Sequence, residues 1–203
     1  MQQYGILVVD DSSFMRRCIS MIIEQDPQFF VIGIARNGLD AIEKVQRLKP
    51  DLVTMDVEMP EMDGIEALTK IMELCPVPVV MLSNHTEEGA ITTIRALELG
   101  AVDFFLKSSI VGDNSNPDKV NQFLEILKTI VEKAKVHLPD RNVKIEACSV
   151  DNTNNVETEA IVIGCSTGGP SALQSLLPRF PANFHIPIVV IQHMPEGFTG
   201  PLA

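Results

Sequence analysis

Short apolar runs alternate with amphipathic segments over the first two thirds of the chain. Five runs are rich in β-branched residues and do not alternate strictly with polar ones: 6–9, 30–35, 52–55, 77–82 and 101–106. Such runs are typical of strands that are buried on both faces of a parallel sheet. The segments that follow them repeat apolar residues at spacings of three and four, as in Ile65, Leu68 and Met72, and this pattern predicts five helices.

Polar residues mark where several of these helices begin. Ser12 is placed to cap the first helix, and Pro60, Asp63 and Gly64 form a turn before the third. Pro117 fits the first turn of the fifth. Strands alternating with helices predict an α/β domain with a flavodoxin-like, doubly wound, five-stranded parallel sheet in the order 2-1-3-4-5.

The periodic pattern stops near Pro139 and starts again after residue 158. The intervening stretch is rich in Asn, Asp, Ser, Thr and Glu, which is typical of a linker. A strand at 160–164, a glycine-rich turn, a helix around 171–177 and a strand at 188–191 then begin a second α/β unit. The pattern predicts a first domain at 1–136, a linker at 137–158 and a domain fragment at 159–203, the last too short for a core of its own.

Composition excludes several classes of function. The 203 residues carry a net charge of −11, so the chain lacks the basic surface of a nucleic-acid binder. No apolar stretch approaches the roughly 20 residues that span a bilayer, and the N-terminus lacks the basic start of a signal peptide. The four cysteines are scattered without zinc-site spacing, which favours free thiols in a reducing cytoplasm.

Five polar side chains stand at the ends of predicted strands. Asp10 and Asp11 follow the first strand, Asp56 the third, Ser83 the fourth and Lys107 the fifth. A single Asp in such a place is usually a cap or turn residue, but parallel strands bring all five to one rim. Clustered carboxylates favour Mg²⁺, beside which one can accept a phosphoryl group as an aspartyl-phosphate. Lys107 would neutralise the phosphoryl oxygens and Ser83 would donate a hydroxyl.

Residues 1 to about 130 resemble the receiver domain of response regulators. The resemblance rests on the Asp10–Asp11 pair, Asp56 within MDVEMPEMDG, Ser83 after VVML and Lys107 after DFFL. It implies phosphorylation of Asp56 by a sensor histidine kinase. It also implies that Mg²⁺ is bound directly by Asp11, Asp56 and the backbone carbonyl of Glu58, and by Asp10 through water.

The same resemblance implies a switch pair, Ser83 and Phe104. Without the resemblance, packing in the core would be the simpler interpretation of Phe104. The family usually has Pro after the Lys, where this chain has Ser108, and commonly a small residue where it has Asn84. Both differences bear on the geometry of the loops and on the lifetime of the phosphorylated form.

The glycine-rich turn of the second unit carries a second candidate site. IGCSTGGP fits the G-x-S-x-G pattern, in which a sharp turn exposes a nucleophilic serine, here Ser166. A turn of this kind could equally bind a phosphate. His193 follows the next strand and could act as general base, although a lone histidine at a strand end is more often structural. The turn itself comprises Gly164, Thr167, Gly168 and Gly169.

A receiver, a polar linker, IGCSTGGP and QHMP together resemble the chemotaxis-type protein-glutamate methylesterases. The resemblance implies hydrolysis of methyl esters on chemoreceptor glutamates and deamidation of certain glutamines there. It implies Ser166 as nucleophile and His193 as base, with an aspartate much later in the family's chain. It also implies that the unphosphorylated receiver covers the esterase site.

The sequence given reaches Ala203 before any such aspartate. We therefore expect these 203 residues to show no measurable methylesterase activity. The alternative function is a receiver that acts only as a phosphoacceptor or docking module. A transcription regulator is disfavoured, because nothing after the linker carries a helix-turn-helix pattern or a basic stripe.

Overall fold

Helices cover both faces of a five-stranded parallel sheet in the first part of the chain. The computed structural model describes residues 2–84, 87–111, 117–136, 158–166, 168–192 and 200. The strands are β1 (Tyr4–Val9), β2 (Phe29–Ala35), β3 (Leu52–Asp56), β4 (Val79–Ser83) and β5 (Asp103–Leu106). Their order in the sheet, β2-β1-β3-β4-β5, confirms the predicted fold.

The helices of this domain number one more than the sequence predicted. They are α1 (Ser13–Ile23), α2 (Gly38–Leu48), α3 (Gly64–Leu74), α4 (Glu87–Glu98), α5 (Lys107–Ile110) and α6 (Pro117–Val136). The prediction of five was wrong because α5 is a four-residue helix, too short to show a helical period. It begins directly after β5, so Lys107 is a helix residue rather than the end of a strand. Pro117 begins α6 as expected.

Two apolar layers explain why the strands lack strict alternation. Successive residues of β1 point to opposite faces, so Leu7 and Val9 pack towards α2, α3 and α4, whereas Ile6 and Val8 pack towards α1, α5 and α6. All six residues of β1 are buried. Since both faces are covered, the central strands are almost entirely apolar before they end, with the buried Thr54 in β3 as an exception.

The second unit is small and only partly covered. Strands β6 (Ile161–Cys165) and β7 (Ile188–Gln192) form a parallel pair, joined through α7 (Gly169–Leu176) and a 3₁₀ turn at Leu177–Arg179. Val162, Val189 and Ile191 share one face and are at least half exposed. The described residues therefore leave that face without a packing layer.

The predicted limits at 136, 158 and 203 stay predictions, because residues 137–157 lie outside the described part of the chain. No helix of the described part combines the length and apolarity needed to cross a membrane.

Candidate functional site

Three carboxylates meet at the carboxyl end of the sheet. Asp10 and Asp11 follow β1 directly and Asp56 is the last residue of β3, the neighbour of β1 in the sheet. A side-chain oxygen from each lies within 4.8 Å of the other two. Asp10 and Asp56 are buried, whereas Asp11 is exposed. The pocket thus has two buried anionic groups and one that is open to solvent.

Lys107 bridges the two buried carboxylates. Its Nζ lies 2.8 Å from Oδ2 of Asp10 and 2.7 Å from Oδ1 of Asp56. These two oxygens have no other hydrogen-bond partner in the described residues. Burial lowers the pKa of Lys107, but its hydrogen bonds to Asp10 and Asp56 outweigh that effect, so the net shift is upward. The lysine therefore stays protonated at neutral pH.

The charged form of Asp56 remains unfavourable despite the contact with Lys107. Burial raises its pKa to about 6, and the charges of Asp10 and Asp11 add to the rise, while Lys107 opposes it. The pocket holds more negative charge than one lysine neutralises. Clustered oxygen donors with excess negative charge are the chemistry that Mg²⁺ prefers, so the residues present fit this ion. Glu58, whose carbonyl is a metal ligand only by the family resemblance, lies two residues beyond β3.

The turn between β1 and α1 is held by Arg16. Its guanidinium donates to the backbone carbonyls of Asp10, at 2.7 Å, and Asp11, at 2.9 Å. The Ser12 amide donates to Oδ1 of Asp10 at 2.9 Å, which fixes that carboxylate. Sequence reasoning missed Arg16. The available signal was its place in the second turn of α1, which brings the side chain back over the acidic pair.

Gly64 fixes the backbone of Asp56 from the other side. Its N–H donates to the carbonyl of Val57 at 2.9 Å, and a Cβ added at Gly64 would lie 2.0 Å from the carbonyl oxygen of Asp56. Any side chain here would displace the strand end that carries Asp56. The next helix begins at this glycine and is capped by Asp63, which accepts from the amide of Glu66.

Ser83 and Phe104 are both buried, the first at the rim of the pocket and the second in the core. Ser83 Oγ donates to the carbonyl of Asn84 at 3.1 Å, so it is engaged within its own loop. Phe104 belongs to the apolar layer beneath α2, α3 and α4. Ser108 lies in α5. The role of Ser83 and Phe104 as a switch pair stays a prediction.

The second candidate site is only partly described. Ser166 follows β6 and is exposed, while Thr167 and His193 lie outside the described residues. Because β6 and β7 are parallel neighbours in register, their last residues, Cys165 and Gln192, lie at the same rim. Gln192 Nε2 donates to the carbonyl of Ser166 at 3.3 Å, and the Gly169 amide donates to the same oxygen at 2.7 Å.

The three glycines around Ser166 are not equivalent. A Cβ at Gly169 would lie 2.0 Å from Oε1 of Gln192, whose side chain would have to move, and 3.0 Å from Cβ of Cys165. Gly168 has a φ of +73°, which favours glycine. A Cβ at Gly164 would have no neighbour within 4 Å.

Comparison with known proteins identifies both parts. The family model of the response regulator receiver domain matches residues 6–113, more than half of the chain. The chain belongs to the response-regulator receiver family. The model of the CheB methylesterase family matches residues 161–203. The receiver is thus followed by part of a CheB-type methylesterase domain.

Individual relatives agree with this arrangement. A protein-glutamate methylesterase/protein-glutamine glutaminase of Carboxydothermus hydrogenoformans is 41% identical over 100% of this chain and 59% of its own length. The crystal structure of the response regulator domain of Thermotoga maritima CheB is 44% identical, with a TM-score of 0.55, over 68% of this chain and 100% of that one.

A CheX–CheY–BeF₃–Mg²⁺ complex from Borrelia burgdorferi matches at 27% identity and a TM-score of 0.51, over 63% of this chain and 90% of that one. The chain spans less than two thirds of the length of the curated relatives that it matches.

Proposed function

We propose that this receiver accepts a phosphoryl group on Asp56 from a sensor histidine kinase. The observation that carries the proposal is the cluster in which Lys107 contacts Asp10 and Asp56 at 2.8 and 2.7 Å while Asp11 lies open beside them. Acidic groups and a buried cation at the carboxyl ends of strands in one parallel sheet are placed to position and neutralise a phosphoryl group. Receiver membership supports the same function.

In this reaction an Asp56 carboxylate oxygen attacks phosphorus as the bond from phosphorus to the donor's histidine nitrogen breaks. The charge of Lys107 offsets that of the phosphoryl oxygens, and its contact with Asp10 keeps the ammonium in place. Asp10, Asp11, Asp56 and the carbonyl of Glu58 would hold Mg²⁺, whose contribution is charge neutralisation. Arg16 and Gly64 fix the backbone of the reacting groups.

Phosphorylation would then be transmitted through Ser83 and Phe104. The Ser83 hydroxyl donates to the carbonyl of its neighbour Asn84, so a rotation could redirect it to the phosphoryl oxygens. Phe104 lies in β5, which pairs with β4 along Met81↔Phe104 and ends one residue before Lys107. A movement of Ser83 at the end of β4 would therefore change the space next to Phe104.

The output is a serine-type esterase that demethylates and deamidates chemoreceptor side chains in the cytoplasm. The match to the methylesterase family and the names of the relatives support this part. Ser166 would be the nucleophile and His193 the base. The alternative is a receiver that acts only as a phosphoacceptor or docking module, which the receiver family match also supports.

A phosphorylation assay tests the proposal. The 203-residue chain is incubated with Mg²⁺ and a small phosphodonor such as acetyl phosphate, and incorporated phosphoryl is measured by intact mass. Label is expected on the wild type and absent from Asp56→Asn. Asp51→Asn is the matched control, because Asp51 lies at the opposite end of β3, and it should be labelled normally. Retention of label by Asp56→Asn would refute the assignment.

A further inference from the structure

A carboxylate of the receiver binds the turn that carries Ser166. Asp103 is the first residue of β5, and its side chain is 9% exposed. Its Oδ2 accepts a hydrogen bond from the backbone N–H of Gly168 at 3.2 Å. Gly168 lies two residues after Ser166 and 65 positions after Asp103. This contact joins the two units at the candidate nucleophile turn.

Asp103 has no part in the phosphorylation pocket. It stands at the amino end of β5 and Lys107 follows the carboxyl end, a separation of roughly 13 Å at the usual rise per residue. Its other oxygen, Oδ1, accepts from the backbone N–H of Phe104 at 2.8 Å. Burial raises the pKa of Asp103, while the amides of Phe104 and Gly168 lower it. The carboxylate thus bridges the predicted switch residue and the turn.

Helix α7, which begins after Gly168, has no acidic residue of its own at its N-terminus. Helix α7 has Gly168 at its N-cap, no side-chain cap and no acidic residue in its first turn. The N-terminus of a helix carries partial positive charge, and a carboxylate there is stabilising. Asp103 supplies that carboxylate. Helix α7 also contacts α4 of the receiver, so the hydrogen bond is part of a packed surface.

Hydrogen bonds link the residues of the turn, so a contact at Gly168 also affects the position of Ser166. The Gly169 amide donates to the carbonyl of Ser166 at 2.7 Å, and Gln192 donates to the same oxygen from β7. A shift of Gly168 would therefore move Ser166 relative to the end of β7. Ser166 is itself exposed, so in this structure the receiver holds the turn next to the serine without covering the serine.

We infer that Asp103 is the positioning residue that couples the receiver to the nucleophile turn, through Phe104 N–H on one side and Gly168 N–H on the other. The inference rests on the proposed function, because the signal it transmits begins at Asp56. Rearrangement of Phe104 after phosphorylation weakens the bond to Gly168 and frees the turn.

Amide hydrogen exchange of glycine-labelled protein tests this coupling. The 203-residue chain is measured with and without Mg²⁺ and beryllofluoride, a phosphoryl mimic, following the amides of Gly64 beside Asp56 and of Gly168. Beryllofluoride is expected to change both, and to speed the exchange of Gly168 by about tenfold, the size of one hydrogen bond. A change at Gly64 without one at Gly168 overturns the inference alone. No change at Gly64 counts against the proposed function instead.

Substitutions at Asp103 test whether its hydrogen bonds, rather than the packing of the two units in general, couple Gly168 to the receiver. Asp103→Asn leaves one acceptor oxygen for two amides, and Asp103→Ala leaves none, so both variants should expose the Gly168 amide and remove its response to beryllofluoride. Asp51→Asn is the matched control: Asp51 Oδ2 accepts from the Gly5 amide at 2.8 Å within the receiver, so only Gly5 should change. A Gly168 amide that exchanges and responds as in the wild type in the Asp103 variants overturns the inference. The wild-type measurement decides the question even if a variant fails to fold.

Discussion

Replacing Asp56 with asparagine should stabilise the receiver in the absence of Mg²⁺. The buried carboxylate has a pKa raised to about 6, mainly by burial and further by Asp10 and Asp11, against a usual value of 3.8. A shift of about two units corresponds to roughly 3 kcal/mol of destabilisation once the group is charged. Asparagine keeps the shape without the charge. It also weakens the bond to Lys107, so the expected gain is about 1–3 kcal/mol.

The pH dependence of this gain has a definite sign. Between about pH 4 and 6 the folded wild type holds a proton on Asp56 that the unfolded chain has lost, so the contribution of Asp56 to stability falls as pH rises. The variant has no such group. The difference in unfolding free energy, Asp56→Asn minus wild type, should grow from pH 4 to 6 and stay level above.

Urea unfolding at several pH values measures this difference. Asp51→Asn is the control for the loss of one negative charge from a chain of net charge −11, and it should not stabilise, because Asp51 binds the Gly5 amide. Mg²⁺ should stabilise the wild type more than Asp56→Asn. A variant less stable than the wild type at pH 7 without Mg²⁺, or a difference that shrinks from pH 4 to 6, would show that the electrostatic reasoning is wrong.

Two further substitutions test the frame of the pocket. Gly64→Ala should destabilise by about 2 kcal/mol or more and slow phosphorylation, because its Cβ overlaps the Asp56 carbonyl oxygen. In Gly33→Ala the added Cβ meets only the side-chain ends of Leu48 and Leu7, so phosphorylation should stay intact. Urea unfolding and the labelling rate check this, and equal labelling rates in the two variants would contradict it. Lys107→Met should raise the pKa of Asp56 further, because Lys107 lowers it. NMR titration of the Asp56 carboxyl measures the change, and an unchanged or lower value would contradict the assignment of the 2.7 Å ion pair.

The sequence predicts the sheet and the meeting of Asp10, Asp56 and Lys107 because one topological rule governs both. Parallel strands with connecting helices place all their carboxyl ends at one rim, so a polar residue at each strand end is enough to predict a pocket. The contacts made by Arg16 depend instead on how a long side chain folds back from α1, and no periodic pattern records this. Helix α5 was not predicted from the sequence, because four residues are too few to show a helical period.

The bond between Asp103 and Gly168 was beyond sequence reasoning for a different reason. An acidic residue at the start of a strand usually caps a turn or is exposed to solvent, and nothing in the sequence DFFL distinguishes Asp103 from such a residue. Its partner is a backbone amide, which every residue but proline offers, so residue type carries no information about the pairing. The packing of α7 on α4 accompanies this bond, and neither is foreshadowed by a sequence pattern.

The pocket and this contact use the same physics at opposite ends of β5. Asp56 and Asp103 are both buried carboxylates whose pKa is raised by burial, yet Asp56 is held by a lysine and Asp103 by two backbone amides. Lys107 contacts one oxygen of Asp56 and does not neutralise all the negative charge of the pocket. This arrangement suits a nucleophile that lies beside a bound cation. The amides occupy both oxygens of Asp103, which suits a fixed link whose strength depends on where Phe104 and Gly168 lie. The surroundings of each carboxylate, rather than its residue type, therefore separate the proposed phosphoacceptor from the proposed positioning residue.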